Sequence, residues 1–438
     1  MKKLVYKKTL KVPVHFETNK EKISKLDKIT ARLAYAVRLW GRVIEENDIK
    51  YRKELQDLEY QHHVQEQTNL SSGYVQQAGN KALWMWKQYR TTYKNWECKI
   101  KRAKEGSKWY NKLLKRDPSE PFQSKKSLLK KIPVRLDCRT GNIKKAKLKL
   151  SSYVMNISTL KKYDKLTILL NPSQYHKKLL EQGEICDFEI VKKNKKYYTY
   201  ITCQFEVSTQ PIQYIRGIDL GVRRTLSDVL IDPKPIKFSN ILDVEKKTKL
   251  KKLNNRISHL RRLQKWNILK QFRNLRNNYA IDRERKIAKN YAKKCINELV
   301  IIGHPKNIRY NNYKGNGNKK RRKMLQGWSF LRQAQFIKQK LNEKGILTEI
   351  TCEWWTSKKC YKCNGIVTRN GPRIKCNDCN MQYDADYNAC IKLAKKGTSY
   401  LSNKPFIEKA GATDELARTK DDYSQKSMSL ETTSSTNS

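Results

Sequence analysis

Four cysteines constrain this chain more than any other feature. Cys360 and Cys363 have two residues between them, as do Cys376 and Cys379, and twelve residues (364–375) separate the pairs. Thiolates at that spacing can close a tetrahedron around one zinc ion, as in a zinc ribbon, and Gly365, Asn370, Gly371 and Asn377 supply the turns. Because all four positions are filled by protein, the one Zn²⁺ is expected to be structural and not catalytic. The other seven cysteines (Cys98, Cys138, Cys186, Cys203, Cys295, Cys352 and Cys390) are dispersed singly, which argues for a reducing compartment and against a disulfide framework. Directly behind the fourth ligand, Tyr383-Asp-Ala-Asp-Tyr-Asn-Ala389 puts carboxylates at the start of a helix.

The partner is legible in the charge. Lys+Arg 95 against Asp+Glu 41 gives +54, a field that repels its own compact state unless a polyanion neutralises it. The 9 Trp, 24 Tyr and 9 Phe among the lysines favour nucleic acid over a membrane surface, because aromatic faces stack on bases while basic side chains hold phosphates. Binding is therefore expected to depend strongly on salt. A chain of 438 residues suffices for several domains. No stretch reads as a signal peptide or a bilayer span, so a soluble, intracellular protein is expected, with no membrane partner.

Taken in order, residues 3–16 alternate as a strand. Ile23, Leu26, Ile29, Leu33, Val37 and Trp40 then recur at helical spacing, with Thr18 or Asn19 as the cap, and further helices follow over 43–61 and 75–104. Trp84, Trp86, Tyr89, Tyr93 and Trp96 read mainly as a helical core, with the interspersed basic residues facing nucleic acid. After the Pro-containing break at 117–121, short runs at 132–136, 147–150, 166–170, 188–191 and 197–205 suggest a small barrel or sandwich. The lysine-rich segment 192–196 reads as a hairpin tip, either solvated or touching phosphate.

A different domain opens at Arg216-Gly-Ile-Asp-Leu-Gly-Val-Arg-Arg224. A buried strand ending in Asp219, then Gly221 to allow close approach of a phosphate backbone, then a second strand over 225–231, is how RNase H-like folds begin. A helical hairpin is expected between Pro235 and Gly303, then a short buried strand over 299–302, a polar loop at 311–323, a helix over 328–344 and a strand over 346–353. The tail after 404 reads as disordered.

Taken together, Gly217-Ile-Asp-Leu-Gly221, the ribbon Cys360/Cys363/Cys376/Cys379 preceded by Trp355-Thr-Ser-Lys358, and Asp384-Ala-Asp-Tyr-Asn-Ala389 resemble the RuvC nuclease core of TnpB proteins and their eukaryotic relatives, the Fanzors. The motifs cover residues 214–397, while the front half agrees in layout only. The resemblance implies an α+β multidomain chain: a β-barrel wedge domain (1–17 and 119–210) with an inserted helical recognition domain (18–118), and an RNase H-like RuvC domain (211–353 and 382–403) with an inserted zinc ribbon (354–381), then a tail (404–438). It implies a Mg²⁺-dependent, RNA-guided DNA endonuclease that works as a monomer with a transposon-derived (omega) guide RNA on double-stranded DNA carrying a short flanking motif. Three carboxylates would hold two Mg²⁺ ions, with Asp219 the first and Asp386, in preference to Asp384, the third.

The second carboxylate departs from the usual pattern. The central strand ordinarily ends in glutamate, and here it ends at Gly303. The resemblance to Fanzors, which carry another glutamate further along, implies Glu353. The last strand of such a sheet should run parallel to and beside the strand ending at Gly303, about 5 Å away, so that a glutamate on one fills space vacated on the other. Glu349 lies about 13 Å back along an extended strand, Glu298 belongs at the wrong end, and His304 is a weaker candidate ligand or phosphate contact. Two alternatives stay open: a guided DNA-binding protein that no longer cuts, and a structural RNA-binding or transposition-accessory protein with a vestigial RuvC fold. Lys319-Lys-Arg-Arg-Lys323 reads equally as a nuclear import signal, giving a nuclear protein in a eukaryotic host and a cytoplasmic one in a bacterium, or as a loop facing the heteroduplex.

Overall fold

The computed structural model describes residues 3–122, 132–160, 164–194, 196–232, 234–305 and 327–402. The chain divides into two compact units, residues 7–205 and residues 1–6 with 206–438. The loop at 311–323, with its basic run 319–323, and the tail from 404 lie outside the described residues. No described helix is long and apolar enough to cross a membrane.

Strand β1 (Lys3–Pro13) leads into helices α1 (Lys20–Glu46), α2 (Leu58–Thr68), α3 (Ser72–Lys101) and α4 (Lys108–Leu114). Of the two cap candidates, Asn19 is the one used, its side chain accepting from the Glu21 N–H. Helices α1 and α3 lock together through indoles: Trp40 Nε1 donates to the Val75 carbonyl at 2.9 Å, and Trp86 Nε1 to that of Gly41 at 3.0 Å. The aromatic cluster of α3 departs from expectation, because only Trp86 is buried, while Trp84 and Tyr93 are exposed. The second half of α3 buries no residue, since the apolar face of α1 is spent on the segment ending at Trp86.

Strands β2 (Val134–Leu136), β3 (Gly141–Lys145), β4 (Tyr153–Ser158) and β5 (Lys165–Leu169), helix α5 (Gln174–Gln182), and strands β6 (Glu184–Lys193) and β7 (Lys196–Ser208) follow. They form two sheets, β1-β7-β6-β2 and β3-β4-β5, linked by a bridge between Val14 and Leu170; of the barrel and sandwich alternatives, the described strand pairings do not close a barrel. Segment 147–150 is not a strand. Leu148 and Leu150 are exposed, and β4 takes the place in the ladder because Tyr153, Met155 and Ile157 have a core to enter. The tip of the β6–β7 hairpin is engaged within the protein, Lys192 reaching Asp27 at 2.5 Å.

The second unit is built on strands β8 (Tyr214–Asp219), β9 (Leu226–Asp232), β10 (Lys234–Ile241), β11 (Glu298–His304) and β12 (Thr348–Cys352), in the order β10-β9-β8-β11-β12. Strands β8, β9 and β10 are antiparallel neighbours, whereas β11 runs parallel to both β8 and β12. A strand parallel on both sides is covered on both faces, which is why Leu299–Ile302 is an unbroken apolar run. Helices α6 (Val244–Arg262), α7 (Trp266–Ala292) and α8 (Phe330–Asn342) precede β12; the ribbon strands β13 (Val367–Asn370), β14 (Arg373–Cys376) and β15 (Gln382–Asp384) lead into α9 (Ala385–Ser402). On one face, Ile218, Val300 and Ile302 pack with Tyr291 of α7 and Ile337 of α8. On the other, Ile215, Leu299 and Ile301 pack with Ile391 and Leu393 of α9. Gly217 makes that second layer possible: a Cβ there would meet the Cys390 carbonyl oxygen at 2.0 Å and the Ala394 nitrogen at 2.6 Å, both backbone atoms.

A carboxylate cluster beside a four-cysteine centre

The four cysteines converge. Their sulfurs all lie within 4.8 Å of one another, with Cys363 and Cys376 Sγ 3.4 Å apart and Cys360 and Cys379 Sγ 3.8 Å apart. Zn–S bonds of about 2.3 Å place neighbouring sulfurs of a tetrahedron about 3.8 Å apart, so the donor set and its spacing fit a structural zinc ion. Burial disfavours the Cys360 thiolate, but N–H donors from Cys363 and Lys362 and the Tyr383 hydroxyl outweigh it and hold the thiol down at about 6. Tyr383 Oη lies 3.6 Å from Cys360 Sγ and 4.0 Å from Cys379 Sγ. The basic residues of the knuckle, Lys358, Lys359, Lys362, Arg369, Arg373 and Lys375, are all exposed.

The carboxylates gather at the C-terminal ends of β8 and β12. Asp219 ends β8, Glu353 follows β12, and Asp386 sits in the first turn of α9, which Gly217 seats against β8. Strand β12 pairs with β11 so that Gly303 faces Thr351 and His304 faces Cys352. The Glu353 side chain then folds over the glycine: a Cβ on Gly303 would meet Glu353 Cγ at 2.6 Å and Oε1 at 2.7 Å. Glu353 thus occupies the volume that a side chain on the central strand would fill.

Electrostatics reports the same proximity. Burial, then the charge of Asp386, push the Asp219 carboxyl up to about 7, while Arg369 of the ribbon opposes the shift. Burial, then the charge of Asp219, push Glu353 upward as well, with Lys396 opposing. Glu353 Oε1 is buried and accepts no hydrogen bond. Crowded carboxyls that repel one another, one with an orphaned oxygen, are a donor set suited to a hard cation such as Mg²⁺. The cluster is nonetheless open: among the described residues, only the cysteines form a group of three or more donors close enough to hold an ion.

Arg224 explains part of that openness, and it separates the two aspartates of α9. Its Nη1 donates to Asp384 Oδ1 at 2.6 Å and to Asp386 Oδ2 at 3.1 Å. Asp384 Oδ1 also accepts from the backbone N–H groups of Asp386 (2.9 Å) and Tyr387 (3.3 Å), so Asp384 serves as the cap of α9. A Cβ on Gly221 would meet the Arg224 carbonyl oxygen at 2.8 Å, so the turn after β8 needs its small size.

The remaining candidates are placed elsewhere. Glu298 begins β11 and is held by Arg216 through two 2.6 Å bonds, at the end of the strand away from Asp219. Glu349 pairs across the sheet with Ile301 and lies 3.6 Å from Lys338. His304 sits at the end of β11, its carbonyl accepting from the Glu353 N–H at 3.4 Å.

Asn388 ties cluster and ribbon together, and no sequence pattern singled it out. It is fully buried, donates from Nδ2 to the Thr356 carbonyl (2.8 Å) and the Lys359 carbonyl (3.0 Å), and accepts from the Tyr361 N–H (2.9 Å). Thr356 Oγ1 in turn donates to the Glu353 carbonyl at 2.8 Å, and Lys396 Nζ to that of Cys352 at 2.8 Å. Its place in the Asp-Ala-Asp-Tyr-Asn run, two residues past Asp386, is the signal that could have found it.

Residues 330–393, spanning α8, β12, the ribbon and the start of α9, match the family model described as Cas12f1-like, TNB domain. A TnpB-like protein of Methanocaldococcus jannaschii is 28% identical over 244 residues, covering 53% of this chain and 86% of that protein. A cryo-EM structure of a Cas12f1–sgRNA–target DNA complex superposes with a TM-score of 0.57 at 12% identity, covering 89% of this chain and 99% of that one, which shows a shared fold. Domain match, relative and fold agree with the cysteine and carboxylate motifs: this chain is similar to a TnpB-like protein over about half its length, carries a Cas12f1-like TNB match at 330–393, and shares the fold of a Cas12f1 protein.

Proposed function

We propose that this protein is an RNA-guided DNA endonuclease of the RuvC type, with Asp219, Glu353 and Asp386 as its metal-binding carboxylates. The observation that carries the reading is the Glu353 side chain lying over Gly303, with an unpartnered oxygen, beside the strand end that bears Asp219. Two Mg²⁺ ions held there would supply Lewis-acid activation of the attacking water and of the leaving oxygen. The chain's own part is to hold three carboxyls against their mutual repulsion: β8 and β12, the parallel neighbours on either side of β11, present two from the same end of the sheet, and α9 brings the third. Asp384 and Arg224 orient the first turn of α9, and Arg369 sets positive charge beside Asp219 where a phosphate would approach.

In this reading residues 1–17 and 119–210 act as the wedge, 18–118 as the helical recognition domain and 354–381 as the zinc-holding insertion, with an omega-type guide RNA and a target duplex as partners. The neighbouring Cas12f1 complex contains sgRNA and target DNA, which supports those partner classes. A second reading, a guided binder that does not cut, draws on the hold of Arg224 on Asp386. The test is to purify the protein with its RNA and assay Mg²⁺-dependent cleavage of a matched duplex. Cleavage that Glu353→Ala abolishes while duplex binding persists is the expected result. Cleavage that survives Glu353→Ala removes Glu353 from the site, and binding without cleavage by the parent favours the second reading.

A further inference from the structure

Immediately after Glu353 the chain exposes two indoles. Trp354 is 77% exposed and Trp355 49%. Large apolar side chains at the surface need no account when scattered, but two consecutive exposed tryptophans directly after a candidate active-site residue call for one. The backbone there is held and not loose. Trp355 adopts φ +66°, a conformation that bulky L-residues rarely take, and its carbonyl accepts from the N–H groups of Lys358 and Lys359 at 3.2 Å each. The next residue, Thr356, is buried and anchored by its hydroxyl to the Glu353 carbonyl and by Asn388 to α9. An observed strained conformation fixed on both sides is one that the surrounding structure imposes, and such residues cluster where ligands are clamped.

The surroundings are cationic. Lys358 and Lys359 Nζ each lie over the Trp355 ring, 5.5 Å from its centroid, which leaves Trp354 as the more open face, and Lys362, Arg369 and Arg373 are exposed on the adjoining ribbon. Indole faces bordered by lysines are what an unpaired nucleic-acid strand requires: each ring stacks on a base while the ammonium groups meet the phosphates. A duplex does not present base faces, because they are covered within its own stack.

We propose that Trp354 and Trp355 form a base-stacking platform for an unpaired stretch of DNA, next to the phosphate that the carboxylates face. This rests on the nuclease reading for its DNA strand. The platform would fix the strand by stacking and leave sequence unread, since every base offers a π-face. Trp354, the more exposed ring and the direct neighbour of Glu353, is expected to carry most of the effect.

The test uses the full-length protein with its co-purified RNA, in Ca²⁺ without Mg²⁺ so that binding is read apart from cleavage. The probe is oligothymidine carrying one 2-aminopurine, whose fluorescence drops when it stacks on an indole. The parent protein should quench the probe, and Trp354→Ala should lose the quenching and weaken oligothymidine binding about fivefold or more. Trp354→Phe should retain most of the binding and Trp354→Leu should behave like Trp354→Ala, which distinguishes stacking from plain apolar contact. Since Trp354 is mostly outside the core, these variants should fold, and unchanged zinc content and melting confirm that they do. Unchanged quenching and affinity in Trp354→Ala would overturn the platform. So would an equal loss of matched-duplex binding or of retained RNA, because the patch would then be a general or guide-RNA contact. A parent that never cuts yet shows the Trp354-dependent quenching sinks the nuclease reading and keeps the platform.

Discussion

Asp384 and Asp386 have the same side chain, two positions apart, and opposite prospects. Asp384 Oδ1 is committed to two backbone N–H groups and to Arg224, so it caps α9; Asp386 shares only the Arg224 contact, at 3.1 Å, and its charge raises the Asp219 carboxyl. Asp384→Asn preserves an oxygen acceptor at the cap and is expected to keep most cleavage and melting temperature. Asp384→Ala should lower stability by about 1 kcal/mol, read from denaturant unfolding. Asp386→Asn is expected to abolish cleavage while leaving stability near the parent value; cleavage lost in Asp384→Asn and kept in Asp386→Asn would reverse the assignment. Glu353 and Gly303 form a second residue-scale pair. Gly303→Val would drive a branched side chain into the space of Glu353 Cγ and Oε1, and is expected to remove cleavage even with all three carboxylates retained.

At the scale of elements, α9 is seated by two contacts that its own sequence hides. One is Gly217, whose missing side chain lets the helix backbone rest on β8. Gly217→Ala would set a methyl against backbone atoms that cannot rotate away, and is expected to cost about 1–3 kcal/mol, visible as a lower denaturation midpoint. The other is Asn388, which binds the backbone of the segment joining Glu353 to the ribbon at three points. Asn388→Ala would strand buried backbone groups at about 1–3 kcal/mol and should loosen zinc retention in a chelator challenge, whereas substitution of exposed Lys375 should not. Because the ribbon is inserted between Glu353 and Asp386, stripping zinc with a strong chelator is expected to abolish cleavage. The helices of residues 7–205 should survive it, as followed by circular dichroism.

For the whole molecule, charge governs. A net +54 disfavours the compact chain through self-repulsion, which a polyanion's phosphates would relieve, so RNA retention should fall steeply with ionic strength. With about 6–10 phosphate contacts, affinity should drop by about 10³–10⁵ between 50 and 200 mM salt. A slope near zero in a filter-binding titration would show that the charge is not spent on a polyanion.

The sequence by itself determined the four-cysteine centre, because four thiols at ribbon spacing have few other uses, and the resemblance it carries implied the parallel pairing of the two strands that place Glu353 beside Gly303. Unbroken apolar runs and helical periodicity are local signals, and they located β8, β11, α8 and the α6–α7 hairpin. Strand 147–150 failed for the same reason: alternation marks which residues could face a core, not whether a core is there. The half-empty aromatic face of α3 failed likewise, since its burial depends on how far α1 reaches along it. Only the tertiary structure decided that Glu353 folds over the glycine, that Arg224 reaches across about 160 residues to Asp384 and Asp386, and that Asn388 joins the ribbon to the cluster. Those contacts are set by the approach of α9 to β8, a distance written at Gly217 by a side chain that is absent.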